Sequence, residues 1–213
     1  MTEIRSFTTA DVEQLYAISL ATGHLGRDAS HLYSDSKSIG HIYVGPYAAL
    51  APALILVLVD NAGVSGFALG VLDTADWEKR LERDWWPRLR GSYVDPVHRP
   101  EQEWTSDERR AHMIHHPRIT PNEVTDDYPA HLHLNLLPRA QGRGLGSILL
   151  QRWLVLAANH GAGAVHVGVN RNNARAIAFW QHSGFTRVLE VERTIVLGRL
   201  SAGKRSNPPS SNE

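Results

Sequence analysis

The stretch from His131 to Trp153 reads His-Leu-His-Leu-Asn-Leu-Leu-Pro-Arg-Ala-Gln-Gly-Arg-Gly-Leu-Gly-Ser-Ile-Leu-Leu-Gln-Arg-Trp, and it admits few folds. Leu132, Leu134 and Leu136 alternate with His131, His133 and Asn135, the period-two pattern of a strand with one buried face. Pro138 ends that run, because it has no N–H to give to a ladder. Gly142, Gly144 and Gly146 come next, at alternate positions. Ile148, Leu149, Leu150, Trp153, Leu154 and Ala157 then recur with the spacing of an amphipathic helix. The order strand, glycine loop, helix brings the unpaired N–H groups of a first helical turn and the positive end of the helix dipole to one spot, and glycines let a ligand approach the backbone there. The stretch is read as a pyrophosphate cradle; a glycine-rich turn with no ligand is the plainer alternative.

The residue after Gly146 narrows the kind of cradle. A phosphate loop of the nucleotide hydrolases needs Gly-Lys-Ser/Thr, and Ser147 comes directly after Gly146 with no lysine between them. The dinucleotide fingerprint needs another glycine spacing and an acidic residue on a later strand, and both are missing. Composition excludes further classes. Lys plus Arg and Asp plus Glu balance at 22 each, so net charge favours neither nucleic acid nor an anionic membrane. There are no cysteines, hence no disulfide, thiolate metal site or cysteine nucleophile. The chain has no apolar tract near the ~18 residues of a membrane span and no signal-peptide core at its start, so a soluble cytoplasmic protein is expected.

In chain order, Thr2 to Phe7 alternates like a strand, and Thr8 with Asp11 caps a helix carrying Val12, Leu15, Tyr16, Ile18 and Leu20 that ends near Gly23. Gly26 to Gly45 is polar and irregular, and Pro46-Tyr47 is expected to begin a turn into a strand at Ala53 to Asp60. Asn61-Ala62-Gly63 then turns that strand into a second one, Val64 to Leu72, forming a hairpin. Asp73 or Thr74 caps a helix bearing Trp77, Leu81, Trp85 and Leu89; its tryptophans read either as a substrate wall or as a helix docked on the core. A long connection, Gly91 to Pro129, carries one short helix near Ser106 to His115. After the glycine-loop helix come a strand at Ala164 to Val169, a helix at Ala174 to His182, and a final strand or pair of strands from Phe185 to Leu197. Residues 1–200 are expected to form one domain, and Ser201 to Glu213 a disordered tail.

A second motif lies in that last part: Val169-Asn170-Arg171-Asn172-Asn173-Ala174-Arg175-Ala176-Ile177-Ala178-Phe179-Trp180-Gln181-His182-Ser183-Gly184-Phe185. Together with Gln141-Gly142-Arg143-Gly144-Leu145-Gly146 it resembles the GNAT superfamily of N-acetyltransferases, whose pattern is Gln/Arg-x-x-Gly-x-Gly/Ala and then Val-x-x-x-Asn followed by Ala-x-x-x-Tyr-x-x-x-Gly-Phe. Every element is present except the tyrosine, which is Trp180 here. Tyr128 to Pro138, the Gly-His-Leu-Gly-Arg-Asp-Ala at 23–29, Gly45-Pro46-Tyr47, Leu72-Asp73-Thr74 and Trp85-Trp86-Pro87 further resemble bacterial acetyltransferases related to the C-terminal acetyltransferase-like domain of O-GlcNAcase. That family usually carries aspartate where Asn135 stands.

The resemblance implies an α/β (α+β) GNAT fold: a mixed, mostly antiparallel central sheet splayed at the acetyl-CoA site and flanked by helices, with a long helical insertion before the glycine-loop strand. It implies acetyl-CoA (coenzyme A) as cofactor, its arm against the backbone of Leu136 and Leu137 and its pyrophosphate on the N–H groups of Gln141, Gly142, Arg143, Gly144, Leu145, Gly146 and Ser147. Arg139 and Arg143 either add phosphate contacts or remain rim residues. Asn170 and Asn173 either face the arm or cap a helix. Phe179 and Trp180 would also border the cofactor.

Acetyl transfer to an amine needs a base, a polarised thioester and a protonated leaving thiol. His133 and His131 are the candidate bases, since imidazole titrates near neutral pH and both lie on the polar face of the strand; histidines simply bonded within the sheet are the alternative. His-x-His with a third ligand from His112, His115 or His116 is disfavoured as a metal site, because nothing completes a recognised spacing. Asp127, with Asp126, shuttles a proton or caps a turn. Trp180 can donate a hydrogen bond to sulfur but cannot release its proton. Tyr47 and Tyr128 are candidate phenols by location alone. The expected function is an acetyl-CoA-dependent N-acetyltransferase acting on a primary amine, of a small molecule or a protein lysine, by direct attack on the thioester. The alternative is a weak or inactive acetyl-CoA-binding module serving interaction or sensing. Neither nucleic acid nor membrane is expected as a partner, and a homodimer through a sheet edge is left open.

Overall fold

The computed structural model describes residues 2–200. Met1 and the stretch 201–213, where the composition predicts disorder, lie outside the described residues. In chain order the elements are β1 (Glu3–Ser6), α1 (Val12–Thr22), α2 (Ser38–Tyr43), α3 (Gly45–Leu50), β2 (Ile55–Asp60), β3 (Gly63–Val71), α4 (Thr74–Asp84) and α5 (Trp86–Arg90). They continue with α6 (Ser106–His115), α7 (Asn122–Thr125), β4 (Ala130–Leu136), α8 (Leu145–Asn159), β5 (Ala164–Asn170), α9 (Ala174–His182), β6 (Thr186–Val191) and β7 (Thr194–Leu200). The strands form one sheet in the order β1-β2-β3-β4-β5-β7-β6. Every neighbouring pair is antiparallel except β4 and β5, which are parallel. This is the mixed, mostly antiparallel sheet expected, and α8 is the crossover that two parallel strands require.

Alternation along the strands sends side chains to two cores. Leu56 and Leu58 of β2, Leu132 of β4 and Val165, Val167 and Val169 of β5 pack beneath α8 and α9, around Leu149, Trp153, Ile177 and Trp180. Ile55 and Val57 of β2 and Phe67 and Leu69 of β3 face the other way, onto Leu15 and Ile18 of α1, Trp77, Leu81 and Trp86 of α4 and α5, and Ile114 of α6. Trp77 and Trp86 are buried there, so the tryptophan-rich stretch is a docked helix pair rather than a substrate wall. Asp73 caps α4 as expected, its carboxylate accepting from the Asp76 N–H at 2.9 Å. Helix α6 begins with a reciprocal capping box between Thr105 and Glu108.

Two local expectations give way. Pro46-Tyr47 does not turn into the next strand but opens α3, with proline in the first helical turn where its missing N–H costs nothing. Helices this short do not form on propensity alone; Tyr47, 4% exposed against the second core, holds α3 in place. The end of the chain is a pair of strands, β6 and β7, separated by a turn at Glu192 with φ of 48°. Among the described residues no helix is long and apolar enough to cross a membrane.

Trp153 couples α8 to the sheet: it is fully buried and its indole N–H donates to Leu54 O at 2.9 Å. It has room because β3 carries Gly70 opposite Leu132. A Cβ at Gly70 would lie 2.1 Å from His131 O and 2.6 Å from Trp153 Cζ2. The first contact is backbone and cannot yield, so Gly70→Ala is expected to cost about 2 kcal/mol or more of stability. Urea unfolding with an unchanged midpoint would refute this account of the packing.

Candidate functional site

β4 and β5 pair only at Ala130 with Val165 and His131 with His166, and then separate. On its other edge β4 stays paired with β3 as far as Leu136, and the Leu137 N–H donates to Ser65 O at 2.8 Å. In an antiparallel ladder this directs the backbone of His133, Asn135 and Leu137 to β3 and that of Leu134 and Leu136 into the gap. Gln141 reaches back across the gap, its Nε2 donating to Leu136 O at 2.6 Å and its Oε1 accepting from Arg175 at 2.8 Å. The gap opens into a cleft of about 490 Å³ walled by Leu134, Asn135 and Leu136, by the glycine loop, by Asn173, Arg175, Ala176, Phe179 and Trp180, and by Thr22 at the end of α1 with Leu25 and Gly26 beyond it. A larger depression, about 820 Å³, lies along α8 around Ile148 and Val155 and meets the glycine loop only at Ser147.

The glycine loop is shaped to receive an anion. Gly142 and Gly144 have φ of 71° and 73°, the left-handed region that side chains disfavour, and nothing stands near where their Cβ atoms would be. Helix α8 starts with the Ser147 and Ile148 N–H groups donating to Gly144 O, while among the described residues the N–H groups of Gly142, Arg143, Gly144, Leu145 and Gly146 meet no acceptor. Gly146 allows the first turn to sit against β4 and α9, since a Cβ there would come 3.2 Å from Leu136 and 3.4 Å from Phe179. Unpaired donors, an open concave surface and a helix N-terminus are the donor set that a pyrophosphate requires, so these residues fit the phosphate end of acetyl-CoA.

The other cofactor candidates divide. Ser147, Asn173, Phe179 and Trp180 line the cleft with the glycines. Asn173 also caps α9, accepting from the Ala176 N–H at 3.1 Å. Asn170 is exposed and accepts from the Asn172 N–H, outside the cleft wall. Arg139 is turned to the β2–β3 hairpin, donating to Asp60 at 2.8 Å and to Val64 O at 3.2 Å. Arg143 is exposed, Leu145 packs toward the first core, and the Leu137 N–H is already engaged by Ser65. Trp180 is 6% exposed, edge-on to Phe179 at 5.1 Å and to Phe185 at 5.0 Å.

On the opposite face of β4, His131 and His133 converge on one phenol. Tyr47 Oη lies 2.6 Å from His131 Nε2 and 3.1 Å from His133 Nε2. Donor counting fixes the tautomers. Thr74 Oγ1 donates its single proton to Pro129 O at 2.7 Å, so it accepts from His131 Nδ1–H at 2.8 Å. Neutral His131 then has a bare Nε2, which accepts from the Tyr47 hydroxyl. The Tyr47 oxygen in turn accepts from His133 Nε2–H. His133 is left with a bare Nδ1, which has no partner among the described residues. Burial, with His166 nearby, pushes His133 down to about 4. Burial first, then His133 and His166, hold His131 well below the usual imidazole range. Both are therefore neutral at physiological pH, as the tautomer chain requires.

Asp127 lies exposed in the turn before β4 and does not line the cleft. His115 contacts Tyr93 O, His116 contacts Asp95, and His112 lies between the rings of Trp104 and His116, so none of the three is turned to His131 and His133. Among the described residues no cluster of three side chains is arranged to hold a metal. Sequence reasoning missed Thr22, Leu25, Gly26 and Leu134 as cleft wall and Thr74 as the anchor of His131. Their only local signals are those of a helix end, a strand and a helix cap. Arg175 had a usable signal, since it lies two residues after the capping Asn173 in the second motif.

Sheet, split and glycine loop together define an α/β protein with a cleft between two parallel strands and a helix N-terminus at its mouth. Residues 79–185 match the acetyltransferase (GNAT) family. The crystal structure of SsHAT superposes with a TM-score of 0.88 at 34% identity, covering 94% of this chain and 98% of that one. The chain belongs to the acetyltransferase (GNAT) family. Among curated relatives it is 47% identical over 55 residues to mycothiol acetyltransferase of Beutenbergia cavernae, covering 26% of this chain and 18% of that protein. It is 20% identical over 171 residues to the O-GlcNAcase of Rattus norvegicus, covering 78% of this chain and 18% of that protein. The aligned part is thus under a fifth of either relative's length. The Salmonella typhimurium protein yncA, solved with its cofactor acetyl-CoA, shares the fold at a TM-score of 0.53 and 18% identity over 98% of both chains.

The neutral histidines predict a pH dependence. Between the ordinary imidazole value of 6.5 and about 4, the unfolded chain binds protons at His133 that the native state refuses. Native stability must therefore fall as pH is lowered through that window. Replacing His133 with Gln should make the slope of unfolding free energy against pH shallower there, measured by denaturant titration at successive pH values; an unaltered slope would show that His133 is not held neutral.

Proposed function

We propose that the protein is an acetyl-CoA-dependent N-acetyltransferase acting on a primary amine. The observation that carries this reading is that β4 borders the phosphate cradle and its gap while presenting, at His133, an imidazole nitrogen without a partner. Bound acetyl-CoA supplies an acyl thioester, whose C–S bond breaks as the amine nitrogen bonds to the carbonyl carbon, giving an amide and coenzyme A thiol. The N–H groups of Gly142 to Gly146 hold the pyrophosphate, with Arg175 at the rim. Backbone groups of Leu134 and Leu136 pair with the arm, and Phe179 and Trp180 cover it. His133 Nδ1 accepts the proton the amine loses. The Tyr47 hydroxyl, donating to His131 Nε2 and accepting from His133 Nε2–H, holds the tautomer that leaves Nδ1 bare for this step. Much of the rate then comes from holding amine and thioester together.

Trp180 supports a second reading. The indole, wedged between Phe179 and Phe185, cannot protonate the leaving sulfur as a tyrosine would. Asn135, whose Nδ2 donates to Thr22 Oγ1 at 2.7 Å, brings an amide where the resembling family usually has a carboxylate. An acetyl-CoA-binding module without turnover would retain the cradle and lose these groups.

Thiol release measured over a panel of amines separates the two readings. With a working site, His133→Ala should lower turnover about 100-fold or more while calorimetric affinity for acetyl-CoA stays unchanged. Tyr47→Phe, which removes the acceptor that fixes the His133 tautomer but keeps the ring, should lower it about tenfold. Full activity in His133→Ala would remove the base assignment, and absence of acetyl-CoA binding at high micromolar concentration would remove both readings.

A further inference from the structure

Arg110 on α6 is a part-buried cation with no counter-ion among the described residues. Its Nε donates to Tyr33 Oη at 3.1 Å and its Nη1 to Tyr43 Oη at 3.4 Å, with Met113 Sδ 2.9 Å from Nη1. The guanidinium carbon lies 5.9 Å from the Tyr33 ring centre and 5.7 Å from that of Tyr43. Aromatic faces attract a cation but do not neutralise it. Arg5 and Arg90, which are also part-buried, each reach a carboxylate: Asp11 and Glu82. Arg110 has phenols and a thioether instead, and its Nη2 meets no acceptor among the described residues. Withdrawing a charge from water without a partner is costly, so such an arginine is usually completed by an anion.

One aromatic ring, Tyr43, separates Arg110 from the proposed base. The Tyr43 ring that flanks the guanidinium stands edge-on to His133 at 5.7 Å between ring centres. Tyr33, Tyr43, Arg110 and His133 all retain partial exposure. Helix α6 is fixed there, because the Asp107 carboxylate accepts from the Ser34 N–H at 2.8 Å and the Ser34 hydroxyl at 2.5 Å. A fixed cation and an unprotonated imidazole nitrogen thus share one aromatic wall.

We propose that Arg110 reads the acceptor: the substrate is a small amine that also carries a carboxylate, seated with its amine at His133, its carboxylate at Arg110 Nη2, and Tyr43 between them. This rests on the transferase reading above, with His133 as base. It favours an amino-acid-like acceptor over a lysine side chain within a polypeptide, which has no carboxylate of its own.

The test uses the full chain and matched amines: 4-aminobutyrate against butylamine, 6-aminohexanoate against hexylamine, 3-aminopropylphosphonate as a second oxyanion, and a short lysine peptide without free carboxylates. By thiol release, kcat/KM should be about tenfold or more higher for the carboxylated member of each pair. Arg110→Gln should abolish that preference mainly through KM, and Arg110→Lys should restore part of it, with acetyl-CoA affinity and melting temperature unchanged in both. A merely structural arginine would move stability and leave selectivity alone. Selectivity that survives Arg110→Gln, equal turnover of the carboxylate-free peptide, or better turnover of the phosphonate overturns the assignment. If no amine turns over, calorimetry of the same pairs into protein saturated with acetyl-CoA decides: binding of the carboxylated member that needs Arg110 supports the proposal, and its absence overturns it. If acetyl-CoA itself does not bind, the transferase reading fails, while Arg110-dependent carboxylate binding to the free protein is scored separately.

Discussion

The parting of β4 from β5 sets up everything else. Had the parallel ladder continued beyond His131 and His166, the backbone of Leu134 and Leu136 would bond to β5 and the sheet would be closed. Instead those groups face a cleft, and Gln141 satisfies one of them from the next loop. Unpaired backbone polarity survives in a fold only where water, a side chain or a ligand takes it up. Here the strand edge, the cradle at the start of α8 and the aromatic residues of α9 open onto the same cleft, so a ligand reaching from the phosphate cradle into the sheet meets donors, acceptors and apolar cover in turn.

On the other face of the same strand, chemistry depends on a single carbonyl. Pro129 O accepts both the Thr74 N–H and the Thr74 hydroxyl, and that choice propagates through His131, Tyr47 and His133 to leave one lone pair unused. The two histidines have similar chemistry and adjacent places on β4, yet the network makes them unequal: His131 is engaged at both nitrogens, His133 at one. Trp77 supports the arrangement from behind, its ring 4.7 Å from that of Tyr47. Trp77 of α4 thus serves the site indirectly, by holding the phenol.

Where a segment's conformation is decided by its own residues, it was legible. The alternation of β4, the glycines before α8, the turn at Asn61-Ala62-Gly63 and the Thr105–Glu108 box before α6 each carry their cause within a few positions. Helices α2 and α3 do not: they are short, and burial of Ile42 and Tyr47 against the sheet stabilises them. Trp180 was legible as a departure from the family pattern, but its packing between Phe179 and Phe185 was not. Asp127 and Asn170 looked suitable by sequence position and lie off the cleft, because position along a chain does not say which way a turn faces.

The sequence by itself determined the glycine loop before α8 and the strand that leads into it, because backbone conformation and the period of buried residues are local properties. Only the tertiary structure decided which polar groups meet. Tyr47 and His133 are 86 positions apart and Asn135 and Thr22 are 113 apart, and no local rule connects them. Tautomer, charge state and the unpaired cation at Arg110 are likewise properties of an environment assembled from α2, α3, α4, α6 and β4, and that environment exists only once the sheet has gathered them.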